Sequence, residues 1–135
     1  MKKTLLLLVL FLSLVLTSCG GAKPTTTINV TLTDFQFTPN QFTIPAGEEI
    51  TLNATNTGAV VHNFIIMNLG TTAGEIYDKD DEVNVFWEEV DIQPGGDISV
   101  TFAAPAEPGE YQVVCRTSGH IASGMVGKLI VVAGE

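Results

Sequence analysis

Four side chains of this sequence can do chemistry together: His62, Cys115, His120 and Met125. Three of them share the run Tyr111-Gln-Val-Val-Cys115-Arg-Thr-Ser-Gly-His120-Ile-Ala-Ser-Gly-Met125-Val-Gly, at steps of five residues. Gly119 and Gly124 let the chain turn sharply between them. One loop can therefore fold a thiol, an imidazole and a thioether around a single point. His62 is the only other histidine, and it follows the turn Asn56-Thr57-Gly58-Ala59-Val60. Two imidazoles and a thiolate with a weak axial thioether are the donor set of a blue-copper electron-transfer centre. Zinc also takes Cys and His, but a thioether is a poor zinc ligand. A dinuclear copper centre needs a second cysteine in the loop, and multicopper oxidase chemistry needs more histidines. The expected cofactor is one copper ion cycling between Cu(I) and Cu(II). The expected role is electron carriage, not enzymatic bond making. Copper storage or delivery is the alternative, and a metal-free interaction module is a third reading.

Such a loop needs a rigid frame, and the pattern supplies one. From Thr27 onward, short runs rich in β-branched residues alternate with turn residues. Strands are expected over residues 28–33, 41–44, 49–56, 61–67, 83–92, 98–103, 111–116 and 125–132. Pro94-Gly95-Gly96 and Pro105-Ala106-Glu107-Pro108-Gly109 separate three of them. Only the stretch from Ala73 to Glu82 suggests a helical turn. Seven or eight strands at this spacing predict an all-β, Greek-key sandwich. Strand alternation places Tyr111, Val113 and Cys115 on one face, with the first two beneath the metal. Pro108-Gly-Glu-Tyr111 has the form of a tyrosine corner. The backbone N–H of Thr117, just after the cysteine, is a candidate donor to its sulfur, raising the potential.

The chain has 135 residues, enough for one domain, with 15 Asp and Glu against 6 Lys and Arg. This acid excess argues against nucleic-acid binding, which needs cations to replace phosphate counterions. Lys2 and Lys3, the apolar stretch Leu5 to Leu16 and the small residues after it form an export signal over residues 1–18. Leu16-Thr17-Ser18-Cys19 resembles a bacterial lipobox, which implies cleavage before Cys19 and lipidation of its sulfur. Two or more acyl chains anchor a protein stably. Residues 19–26 then form the lipidated head and a polar tether, and residues 27–135 form the domain. The expected location is the outer side of the cytoplasmic membrane, or the periplasm and cell envelope. Loss of Lys2 and Lys3 leaves 15 acids against 4 bases, a formal charge of −11. Eight carboxylates, Glu75, Asp78, Asp80, Asp81, Glu82, Glu88, Glu89 and Asp91, fall in one segment. They could steer a basic cytochrome, but a solvated loop is the favoured reading.

The Asn56-x-Gly-x-x-x-His62-Asn63 segment and the Cys-x4-His-x4-Met loop resemble the cupredoxin family, and in loop spacing its auracyanins most closely. The resemblance runs over roughly residues 28–132. It implies that His62, Cys115, His120 and Met125 are the copper ligands. It also implies that Asn63 braces the first histidine's strand against the cysteine loop. Phe37-Thr-Pro-Asn40 and Ile44-Pro-Ala-Gly47 resemble the family's opening hairpin. Members pass electrons through an apolar patch around the loop histidine. Here that implies Ala59 and Val60 from one loop, with Ile121 and Ala122 from the other. The partner would be a cytochrome or membrane redox complex, met by a monomer in a brief contact of small area.

Overall fold

The structure, a computed structural model, describes residues 21–134. The export signal and Cys19 lie outside the described residues. Nine strands and one short helix follow in the order β1 (Thr27–Thr33), β2 (Gln36–Thr38), β3 (Gln41–Pro45), β4 (Glu49–Asn56), β5 (His62–Met67), α1 (Lys79–Glu82), β6 (Val85–Ile92), β7 (Asp97–Ala103), β8 (Gly109–Val114) and β9 (Val126–Val132). They form the expected sandwich: one sheet in the order β2-β1-β4-β7, the other β3-β9-β8-β5-β6. β1 pairs with β4 in parallel, and β3 with β9 likewise, so each sheet is mixed.

The strand count exceeds the expected seven or eight because β2 has only three residues, too few to show alternation. It also moves the opening hairpin. The hairpin joins β1 to β2 across Asp34 and Phe35, pairing Leu32 with Phe37. Ile44-Pro-Ala-Gly47 instead carries the chain from one sheet to the other, with Gly47 at φ 71°. Thr25 and Thr26, expected in the tether, bond to the sheets: the Thr25 N–H donates to Thr43 O, and Thr26 O accepts from the Thr51 N–H.

The core follows from period-two burial. Ile28, Val30 and Leu32 of β1 and Ile50, Leu52 and Ala54 of β4 meet Phe64, Ile66, Val113 and Leu129 of the opposite sheet. At one side of the sandwich, Trp87 of β6 stacks on Phe102 of β7 with ring centroids 4.4 Å apart. β5 is buried at all six positions, which a strand achieves only when both faces are covered. Its outward residues Ile65 and Met67, with Val114, form a second small cluster under Ala73, Tyr77, Val85 and Ile121.

Tyr77 and Val85 of that cover belong to the acidic segment. Asp78 caps α1 through a capping box with Asp81, accepting from the Asp80 N–H at 2.8 Å. Asp81 is buried, and its two oxygens accept from the N–H groups of Gly74 (3.2 Å) and Asp78 (3.0 Å). Two of the eight clustered carboxylates therefore hold a local turn. Strand β6 starts at Val85, not residue 83, because Val83 is the C-cap of the helix.

Candidate metal centre

β8 ends at Val114, and Cys115 follows it with no exposed surface. Tyr111 and Val113, four and two residues earlier, are buried in the main core below. The Tyr111 hydroxyl donates to Glu107 O at 2.7 Å, closing the tyrosine corner and fixing the entry to this strand.

Beyond Cys115 the chain makes two tight turns. Gly119 and Gly124 adopt φ of 80° and 96°, the left-handed region that side chains resist. Thr117 O accepts from the His120 N–H at 3.0 Å, and His120 O accepts from the Met125 N–H at 2.9 Å. The second bond returns Met125 beside His120, directly before β9. The ends of neighbouring strands thus hold the thiol and thioether, and the loop between them holds the imidazole.

His62 opens β5. The turn before it is pinned by Asn56, which is fully buried. Its amide donates to Val60 O (2.9 Å) and Ile92 O (2.8 Å), and its Oδ1 accepts from the Gly58 N–H (2.9 Å). In the sequence Asn56 is one position of a motif; in the fold its buried amide sets the path of the whole turn.

The four donor side chains converge. Cys115 Sγ lies 3.7 Å from His62 Nδ1 and 3.6 Å from His120 Nδ1. His120 Nδ1 lies 3.3 Å from Met125 Sδ. For a first-row ion such as zinc, metal–nitrogen bonds of about 2.0 Å and metal–sulfur bonds of about 2.3 Å put trigonal donors about 3.7 Å apart. The spacing here fits that arrangement. The donor chemistry narrows the ion: two nitrogens, one thiol and one thioether, with no carboxylate among them, are the set for one type 1 copper. His62 is fully buried and His120 is 4% exposed. Burial pushes both imidazoles below the ordinary histidine range, and at His120 the nearby His62 adds to the effect; Asp34 opposes it at both. Neutral rings keep a lone pair free for a metal.

Asn63 joins the strands around this point. Its backbone N–H donates to Cys115 Sγ at 3.4 Å, and its amide approaches the same sulfur at 3.7 Å. The amide also donates to Thr117 Oγ1 at 3.2 Å, while Asn63 Oδ1 accepts from the Asp91 N–H at 3.1 Å. A register shift between β5 and β6, with Asp91 at φ 57°, brings that N–H inward. Thr117 differs from expectation. The N–H on the sulfur belongs to Asn63, and Thr117 acts through its hydroxyl, which donates to Val61 O at 2.7 Å. Bonding across strands to a residue distant in sequence leaves no local signal.

The expected exit patch is only partly exposed. Ala59, Val60 and Ala122 face solvent, whereas Ile121 is half-buried against the cluster under the acidic segment. The loop beside a second core pulls it inward. Two residues that the sequence did not single out lie against the histidines. Asp34 Oδ1 accepts from His62 Nε2 at 3.2 Å. The Phe35 ring packs edge-on to His120 with centroids 5.1 Å apart, and Phe35 is 49% exposed. In sequence they fall between the runs at 28–33 and 41–44, at no ligand spacing.

Comparison with known proteins follows the same lines. Residues 5–131 match the cupredoxin-like domain model. The chain is 30% identical over 119 residues to the copper-resistant cuproprotein CopI of Rubrivivax gelatinosus, covering 82% of this chain and 69% of that protein. It is 29% identical to auracyanin-A of Chloroflexus aurantiacus, over 97% of this chain and 99% of the relative. Plastocyanin of Mercurialis perennis shares 33% identity over 73% of this chain and 89% of its own. The solved structure of reduced auracyanin from Roseiflexus castenholzii superposes with a TM-score of 0.68 at 28% identity, covering 82% of this chain and 99% of that one. Sheet order, converging donors and a family match over nearly the whole length agree: this chain belongs to the cupredoxin-like family.

Proposed function

We propose that this protein is a type 1 copper electron carrier, exported and anchored to the membrane through lipidated Cys19. The observation that carries the reading is the convergence of Cys115 Sγ with both Nδ1 atoms and Met125 Sδ inside a rigid sandwich. A copper ion bound there supplies a one-electron Cu(I)/Cu(II) couple. The residues that would hold the ion are Cys115 through its thiolate, His62 and His120 through imidazole nitrogens, and Met125 through its weakly donating thioether. Strand ends on both sides of the loop fix these atoms, so the same cage serves both oxidation states. Asn63 keeps hydrogen bonds on the sulfur, which draws electron density from it and raises the potential.

His120 is the least buried of the four and packs against exposed Phe35, and Val60 and Ala122 of the two ligand loops are exposed as well. This apolar rim suits a brief contact with a redox protein. The acidic segment, with Glu88 paired to Arg116 at 3.4 Å, lies on the neighbouring face. Export rests on the N-terminal signal; among the described residues no helix is long and apolar enough to cross a membrane.

Copper handling for resistance is a second reading, favoured by the likeness to CopI, a copper-resistant cuproprotein. The buried donor set argues for retention of the ion over its exchange. Addition of one equivalent of Cu(II) tests the centre. An intense visible charge-transfer band, absent in Cys115→Ser, supports it. A colourless product sinks it. Met125→Gln should keep the copper and lower the potential; an unchanged potential shows that Met125 does not tune the centre.

A further inference from the structure

The β1–β2 turn reaches across the sandwich to both histidines. Asp34 is fixed in place: its two carboxylate oxygens accept from the Ala59 N–H at 3.1 and 3.2 Å, and Oδ1 also accepts from His62 Nε2 at 3.2 Å. Since an ionised carboxylate only accepts, the ring proton sits on Nε2 and the Nδ1 lone pair faces Cys115 Sγ. Gly58 leaves room for the contact. A Cβ there would strike the Asp34 carboxylate and stand 2.6 Å from His62 Nε2. The next residue, Phe35, takes φ of 71°, a strained value for an aromatic side chain, and sets its ring against His120. Strain and two histidine contacts thus coincide at one two-residue turn, against which Gly58 is closely packed.

From this geometry we propose that Asp34 is a positioning residue of the metal centre, holding His62 in the Nε2–H form and favouring the oxidised ion through its negative charge. The proposal rests on the copper reading above. A carboxylate hydrogen-bonded to a ligating imidazole raises the basicity of that ligand and fixes its orientation. The oxidised ion carries one more positive charge than the reduced one, so a nearby anion stabilises it more. Removal of the charge should therefore raise the reduction potential.

Two variants of the full chain and two readouts test this. In the metal-free protein, nitrogen NMR of the imidazoles should show His62 as a single Nε2–H tautomer, and a mixture in Asp34→Ala. In the copper-loaded protein, Asp34→Asn keeps an acceptor oxygen and loses the charge. It should keep the visible band while the ratio of Cu(I) to Cu(II) binding rises about tenfold, equivalent to about 59 mV. An Asp34→Asn potential equal to wild type, or a tautomer unchanged in Asp34→Ala, overturns the proposal. If the wild type itself takes up copper without colour, the copper reading fails, and the tautomer measurement still decides the role of Asp34.

Discussion

The backbone N–H of Asn63 meets the sulfur of Cys115 at 3.4 Å, joining the start of β5 to the end of β8 across 52 positions of sequence. The Asn63 side chain adds a contact to the same sulfur, a bond to Thr117 and an acceptor for Asp91. Asn63→Ala keeps the backbone bond and loses the other three. The Asp91 N–H and Thr117 lose partners, so unfolding stability should fall by about 1–3 kcal/mol. The reduction potential should fall as well, because one donor leaves the sulfur. Voltammetry combined with denaturant unfolding checks both shifts.

Gly58→Ala tests how tightly the first histidine is packed. The added methyl overlaps the Asp34 carboxylate and His62 Nε2, and neither can retreat without losing a bond. We expect destabilisation of roughly 1–3 kcal/mol, the usual range for overpacking, and weaker copper retention against a chelator. Thermal melting of the metal-free variant separates the two effects.

Stability of the metal-free protein should depend on pH through the histidines. Burial lowers the pKa of both His62 and His120 below the ordinary 6.5. The unfolded chain then binds protons that the folded chain refuses. Stability is therefore present above about pH 6.5 and declines as pH falls toward the folded-state values. Denaturant midpoints measured across that interval check the sign. A rise on acidification contradicts it.

Cys19→Ala concerns the anchor. The proposed lipidation of Cys19 predicts that this variant lacks the N-terminal lipid and leaves the membrane fraction. Fractionation followed by mass analysis of the N-terminus reads this directly.

The sequence carried most of the site because its signals are local. Cys115, His120 and Met125 lie within one loop, and His62 and Asn63 follow a turn rich in small residues. The sandwich was legible for a similar reason, since β1 and β4 alternate burial along their lengths. What was hidden depends on contacts between distant segments. β2 is too short to show a period, and Asp34 and Phe35 touch the histidines only because the sandwich folds β1 over β5. Ile121 is drawn inward because it packs, with Ala73 and Tyr77, on the distant Ile65 and Met67. The acidic residues posed a related problem. Charge counting could not show that Asp81 is buried as a capping partner while its neighbours stay in solvent.

Cyclic voltammetry of the purified, singly copper-loaded protein tests the central claim most directly. Electron carriage predicts a reversible one-electron wave, with the metal retained and the visible band restored through repeated cycles. An irreversible wave, with copper released on reduction, contradicts an electron carrier and favours delivery of the ion.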